Sequence, residues 1–259
     1  MKKPEMEYFV DQDSIVREIW GKGDTILFIF AGASAEFALN KAVDWLYYTG
    51  RLPNDPLGRL FSTVSYARKI VFSEKNAALK AIDSIASIHS AVESKRGRRI
   101  PDWAYRDVLF MLIDYSIRSY ELLEHELGLA QKQEVFNVFI RVGKRMRLQG
   151  LPENFEDFQK MRKSHLEQNL EAGEYTRDLY HRYRRHLGPM RYRLLLETQI
   201  YITPKKVREL LSLRKYSLLR FLIPPYKLSR RIKLDQLLRS MILPTAYHDE
   251  INSLDQAGN

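Results

Sequence analysis

A histidine on an aliphatic stripe is the residue of this chain with the clearest chemical potential. Between Asn76 and Val92, the residues Ala78, Ile82, Ile85, His89 and Val92 recur at helical spacing, so one helix face carries aliphatic side chains and an imidazole together. A buried imidazole needs a partner, and its neutral form is the commonest side-chain metal ligand. On that residue alone two readings stay open: a core histidine satisfied by a carbonyl or carboxylate, or a ligand. Upstream, Arg59, Thr63, Tyr66 and Ile70 share the face of another helix and stack a guanidinium one turn from a hydroxyl. Such a pair suits an anion or a bound oxygen; the plainer reading is an exposed arginine beside a threonine satisfied by its own helix.

The remaining histidines are weaker candidates. His125 sits among Glu121, Glu124 and Glu126 and should face solvent, while His165, His181 and His186 are embedded in charged helical sequence. Glu121 and His125 are four residues apart, but paired Glu-x-x-His motifs of the di-iron bundle type are missing.

Composition narrows the chemistry further. The 259 residues contain no cysteine, which rules out disulfides, thiolate-held iron or zinc, and a cysteine nucleophile, and suits a reducing, cytoplasmic compartment. Met1-Lys-Lys-Pro-Glu-Met-Glu lacks the apolar run of a secretory signal. The longest apolar stretch, Thr25 to Leu39, carries Glu36 and is too short to span a bilayer. Its residues Ala31, Gly32, Ala33, Ser34 and Ala35 should let another helix or a flat ligand approach the backbone closely. The net charge of +10 is concentrated in Arg182 to Arg193 and Arg208 to Arg239. Those stretches read either as solvated helical faces or as surfaces for phosphate groups.

Helical periodicity runs through the whole chain, and no alternating segment makes a confident strand, so the fold is predicted to be all-α, a single globular multi-helix domain. We expect an N-terminal extension over 1–23, one body over 24–248 and a disordered tail over 249–259. Asp24 is expected to cap the small-residue helix, which Tyr48-Thr-Gly50, Pro53 and Pro56 would end. Helices follow over Pro56 to Phe72, through His89 to about Gly97, from Pro101 or Asp102 towards Leu127, and near 131–148, 154–170 and 176–186. Thr203-Pro204 reads as an N-cap followed by a first-turn proline, and Pro224-Pro225 as a break.

The order Arg59-Leu-Phe-Ser-Thr63, a spacer, then His89-Ser-Ala-Val92 resembles the oxygenase family that includes the fungal mpaB proteins and the bacterial rubber oxygenases, also called latex-clearing proteins. Pro101-Asp-Trp-Ala-Tyr105-Arg-Asp-Val-Leu109 and Gly150-Leu-Pro152 fall where that family has comparable stretches, and the similarity covers about Asp24 to Phe158. The resemblance implies a haem pocket between central helices, with His89 as axial ligand of haem b iron and Arg59 and Thr63 in the wall, Arg59 facing a propionate. It also implies a haem-dependent oxygenase acting with dioxygen on an apolar or lipid-like substrate. Ala86, Ser94 and Ser62 depart from the family's arginine, glycine and lysine, and for the family's glutamate base this chain offers Glu36 and Asp44 in the small-residue helix. The alternative reading is a non-catalytic basic helical protein on an anionic membrane surface, peripheral at its inner face, with Phe221 to Tyr226 as an apolar wedge. Nucleic acid is disfavoured as a partner, since no recognised motif or stacking platform accompanies the charge.

Overall fold

Side-chain caps set three of the helix starts among the described residues. In the computed structural model, which describes residues 7–50 and 54–230, Ser14 Oγ accepts from Val16 N at 3.1 Å and opens α1, Ile15–Gly21. Asp55 accepts from Gly58 N at 2.9 Å with Pro56 in the first turn, opening α4, Pro56–Phe72. Asn154 does the same for Asp157 N at 2.9 Å ahead of α8, Phe155–Gln168. Between these lie α2 (Gly23–Leu39), α3 (Val43–Tyr48), α5 (Lys75–Arg96), α6 (Asp102–Leu123) and α7 (Leu129–Arg145); α9 (Glu174–Ile202), α10 (Lys205–Leu210) and α11 (Leu219–Arg230) follow. Gly97, at φ 66°, closes α5 in the left-handed conformation that a Cβ disfavours. Among the described residues there is no strand, only the isolated bridges Tyr8 to Glu74 and Asn40 to Leu170. The expected all-α fold is the observed one.

The helices α2 and α6 form the central pair, with α9 packed on α2 and also touching α6, and α7 and α8 against α6. The core runs through Trp20, Ile29, Phe110, Ile113, Tyr115, Phe136 and Phe139, all buried. A smaller cluster of Leu57, Phe61, Leu179, Tyr183 and Leu187 joins α4 to α9. Residues from Phe9 onwards already contribute to the main core, as do Val16, Ile19 and Trp20 of α1. The small-residue stripe of α2 admits a side chain of α6: a Cβ added at Gly32 would lie 2.3 Å from the Tyr115 ring.

Several local expectations are corrected. Lys22, not Asp24, occupies the N-cap of α2, and Asp24 sits buried in its first turn. The helix ends at Leu39 rather than near Tyr48, because Asn40 turns extended and Lys41 N and Glu171 N pair with Asn169 O and Leu39 O across the bridge. The segment expected over 176–186 extends to Ile202, continuing past a kink where Gly188 has φ 73° and Pro189 follows. Thr203 ends this helix, its hydroxyl donating to Gln199 O at 2.6 Å, and Pro204 rather than Thr203 is the N-cap of α10. Pro224 and Pro225 do not break α11. Each removes one backbone donor, yet Tyr226 and Lys227 are tied to the body beyond them: Tyr226 donates to Asp24 Oδ2 at 3.0 Å and Lys227 to Glu124 O at 3.1 Å. The turn residue Pro53, the basic stretch beyond Arg230 and the tail over 249–259 lie outside the described residues.

Candidate functional site

Two helices carry the sequence-predicted residues, and a third adds a neighbour to them. Arg59 and Thr63 stand on α4, His89 and Glu93 on the second half of α5, and Tyr105 near the start of α6. Arg59 Nη1 donates to Thr63 Oγ1 at 2.8 Å and to Ser62 Oγ at 3.2 Å, while the Thr63 hydroxyl points back to Arg59 O at 3.3 Å. The guanidinium and hydroxyl expected to be stacked one turn apart are therefore in direct contact.

The stripe carrying His89 does not stay in the core. Ala78 and Ile82 are buried, whereas Ile85, His89 and Val92 are half-buried, so the face opens towards the surface as it reaches the imidazole. His89 Nδ1 is itself buried and has no hydrogen-bond partner. The His89 ring lies 5.1 Å from that of Tyr105, whose hydroxyl donates to Glu93 Oε1 at 3.1 Å, and the same carboxylate oxygen accepts from Ile100 N at 2.8 Å. Burial, then the nearby Arg59 charge, pull the His89 pKa down to about 4 against the opposing pull of Glu93, so the imidazole is neutral at pH 7. Burial and then the Glu93 carboxylate push the Tyr105 hydroxyl up, keeping it protonated.

A second constellation, deeper in the molecule, joins α2, α6 and α8. Glu36 is fully buried and receives Arg162 at both carboxylate oxygens, with Nη2 to Oε2 at 2.7 Å. It also accepts from the Tyr115 hydroxyl at 2.8 Å, and His165 Nε2 lies 2.6 Å from its Oε1. Arg162 continues to Asp114 Oδ2 through Nη2 at 2.9 Å and Nε at 3.1 Å. On its other side His165 places Nδ1 2.7 Å from Asp107 Oδ1, an ion pair rather than an aligned hydrogen bond. Asp107 also accepts from Asn40 Nδ2 at 3.1 Å and Asn169 Nδ2 at 2.9 Å. Burial alone would raise the Glu36 pKa, but Arg162 and His165 outweigh it and hold the carboxyl down to about 2. Burial likewise disfavours charge on His165, yet Asp107 and Glu36 raise its pKa above the ordinary histidine value.

Sequence reasoning ranked His165 low because its neighbours in the chain are charged. The better signal was its stripe: Phe155, Phe158, Arg162 and His165 follow the helical period, and all are buried. Glu36 lies inside this ion network, and Asp44 lies in α3, beyond the end of the small-residue helix, paired with Arg96 at 2.7 Å. Arg96 in turn stacks 4.1 Å over Trp45. His125 is exposed, its ring 5.3 Å from Tyr120, and Glu121 is taken by Lys132 at 2.7 Å. Among the described residues, no group of three or more histidine and carboxylate side chains is arranged to hold a metal ion by itself.

The sequence profile described as "ER-bound oxygenase mpaB/B'/Rubber oxygenase, catalytic domain" matches residues 20–227. No curated protein and no solved structure matches the chain.

Proposed function

The chain belongs to the mpaB/rubber oxygenase catalytic-domain family, a family of oxygenases, and from that premise we propose that it is a haem b-dependent oxygenase acting with dioxygen on an apolar or lipid-like substrate. In this reading His89 would hold the haem iron, and Arg59 and Thr63 would be the polar side chains beside it. The observation that carries it is the His89 ring: a neutral imidazole with a buried, unpartnered Nδ1, next to a cation and a hydroxyl. Neutral imidazole is the ligating form, and a buried ring nitrogen without a protein partner is open to one. The donor chemistry of these residues suits a haem: an imidazole for the iron and a guanidinium for a propionate. When bound, haem would supply the iron at which dioxygen is activated, chemistry that amino-acid side chains do not provide alone.

The residues of the chain have separable tasks. Arg59 disfavours protonation of His89, which keeps the ring available as a ligand, and a fork of N–H donors matches a propionate carboxylate. Thr63 accepts from Arg59 and fixes the guanidinium against its helix. Tyr105, held by Glu93, packs its ring against His89 and limits rotation of the imidazole. Ser62, where the rubber-cleaving members have a lysine, argues against polyisoprene as the substrate. A reducing cytoplasmic setting suits a chain without cysteine. No helix among the described residues is long and apolar enough to cross a membrane.

Protein produced with a haem supply should show a Soret band that His89→Ala abolishes or strongly weakens while circular dichroism stays helical. The alternative, a non-catalytic basic helical protein, requires a colourless wild type, and that result, or a Soret band indifferent to His89→Ala, overturns the assignment.

A further inference from the structure

The last described helix turns an apolar side outward. Leu219 and Ile223 of α11 are 8% and 6% exposed and hold it to the body, whereas Phe221 and Leu222 are 74% and 58% exposed. Leu218 at 53% and Tyr216 at 64% extend the same surface into the preceding segment. Single exposed apolar side chains are ordinary; a cluster of four on one short segment marks an interaction surface.

The fold enforces this exposure. At the start of α11, Glu197 of α9 receives Arg214 and accepts from Ser217 Oγ at 3.0 Å and Leu218 N at 2.8 Å. Towards the other end, Tyr226 is bonded to Asp24 Oδ2 at 3.0 Å and Lys227 to Glu124 O at 3.1 Å. Pinned at both ends, the helix cannot roll to bury Phe221 and Leu222 without breaking those bonds and exposing Leu219 and Ile223.

Charge selects the occupant. From Leu210 to Arg230 the chain carries Arg214, Lys215, Arg220, Lys227 and Arg230 and not a single Asp or Glu. Lys215 and Arg220 are exposed beside the apolar cluster, with Lys215 Nζ 5.3 Å over the Tyr216 ring. A second copy of this face would bring like charges together, and the next residues, Arg231 and Lys233 before Asp235, begin with two more cations. Apolar side chains rimmed by cations match the boundary between acyl chains and anionic headgroups.

We propose that the outer face of α11 docks peripherally on an anionic bilayer. Phe221, Leu222 and Leu218 enter the acyl boundary, Tyr216 sits at headgroup depth, and Lys215 and Arg220 meet lipid phosphates. This site is separate from His89, and its test does not depend on haem.

The full chain is co-sedimented with phosphatidylcholine vesicles with and without phosphatidylglycerol. Binding should require the anionic lipid, weaken with salt, and fall roughly tenfold or more in Phe221→Ser/Leu222→Ser, a variant whose surface positions leave the helical circular dichroism unchanged. Absence of binding, equal binding to both vesicle types, or binding unaffected by the double substitution overturns the proposal. Self-association in sedimentation velocity that the same substitution abolishes would assign the face to a second copy instead and would equally overturn it.

Discussion

Glu36→Gln isolates the energy held in the buried ion network. The substitution keeps the side chain's size but removes the negative charge that Arg162 and His165 both face. Asp114 still reaches Arg162, at 2.9 Å, so the guanidinium is left under-compensated rather than wholly unpaired. Two routes give the magnitude. Holding the carboxyl at about 2 instead of 4.5 corresponds to about 3 kcal/mol of folding free energy, at about 1.4 kcal/mol for each tenfold change in proton affinity. Removing one partner from a buried pair costs about 3–5 kcal/mol in general. The two agree, and against a typical total stability of about 5–15 kcal/mol the loss is large. Because the folded pKa is lowered, this stabilisation is present above pH 4.5 and fades as the pH falls towards 2. Urea denaturation at pH 7 should therefore show Glu36→Gln destabilised by about 3–5 kcal/mol, with Tm lower by roughly 6–20 °C, and the gap from wild type should shrink near pH 2.5. Glu36→Met/Arg162→Met should recover part of the loss by removing the stranded guanidinium. A cost below about 1 kcal/mol at pH 7, or a gap that does not change on acidification, would refute the reasoning.

Two further outcomes follow from the same interior. His165 has a folded pKa raised above 6.5, so its contribution is present below pH 6.5 and is lost as the pH rises through the elevated value. A Tm series from pH 6 upward should fall more steeply for wild type than for His165→Gln, and parallel curves would contradict the assignment. Gly32→Ala should destabilise by about 1–3 kcal/mol or more instead of stabilising as an ordinary helix glycine replacement does, since the added methyl meets the Tyr115 ring at 2.3 Å. Equilibrium denaturation measures this, and the cost should shrink in a Tyr115→Leu background; an unchanged cost there would show that the clash is not with the ring.

Legibility in the sequence followed how local the determinant is. Pro56–Phe72 was readable because Asp55 and Pro56 start the helix through contacts within a few residues. The end of α5 was readable because Gly97 supplies its own left-handed turn. The end of α2 was not, because Asn40 turns away under hydrogen bonds to residues 169–171, more than a hundred positions on. The continuation of α11 through Pro224 and Pro225 was hidden for a related reason: the anchors that hold it are on α2 and at the end of α6.

The site divides in the same way. Arg59 and Thr63 could be paired from spacing, since one turn of one helix is a local geometry. The neutrality of His89 could not, because it comes from the burial and the Arg59 charge that packing of α4 against α5 creates. Arg162 and His165 share one stripe of one helix, but Glu36 and Asp107 stand on two others, and no periodicity within a helix announces that these side chains meet. By itself the amino-acid sequence determined the all-α class, the start of the helix at Pro56 and the shared helix faces of His89 and Arg59, because backbone periodicity and a local cap act over a few residues. Only the tertiary structure decided which charges are paired in the interior, which imidazole has its charged form favoured and which apolar face stays in water, because those depend on burial and on neighbours that chain distance does not encode.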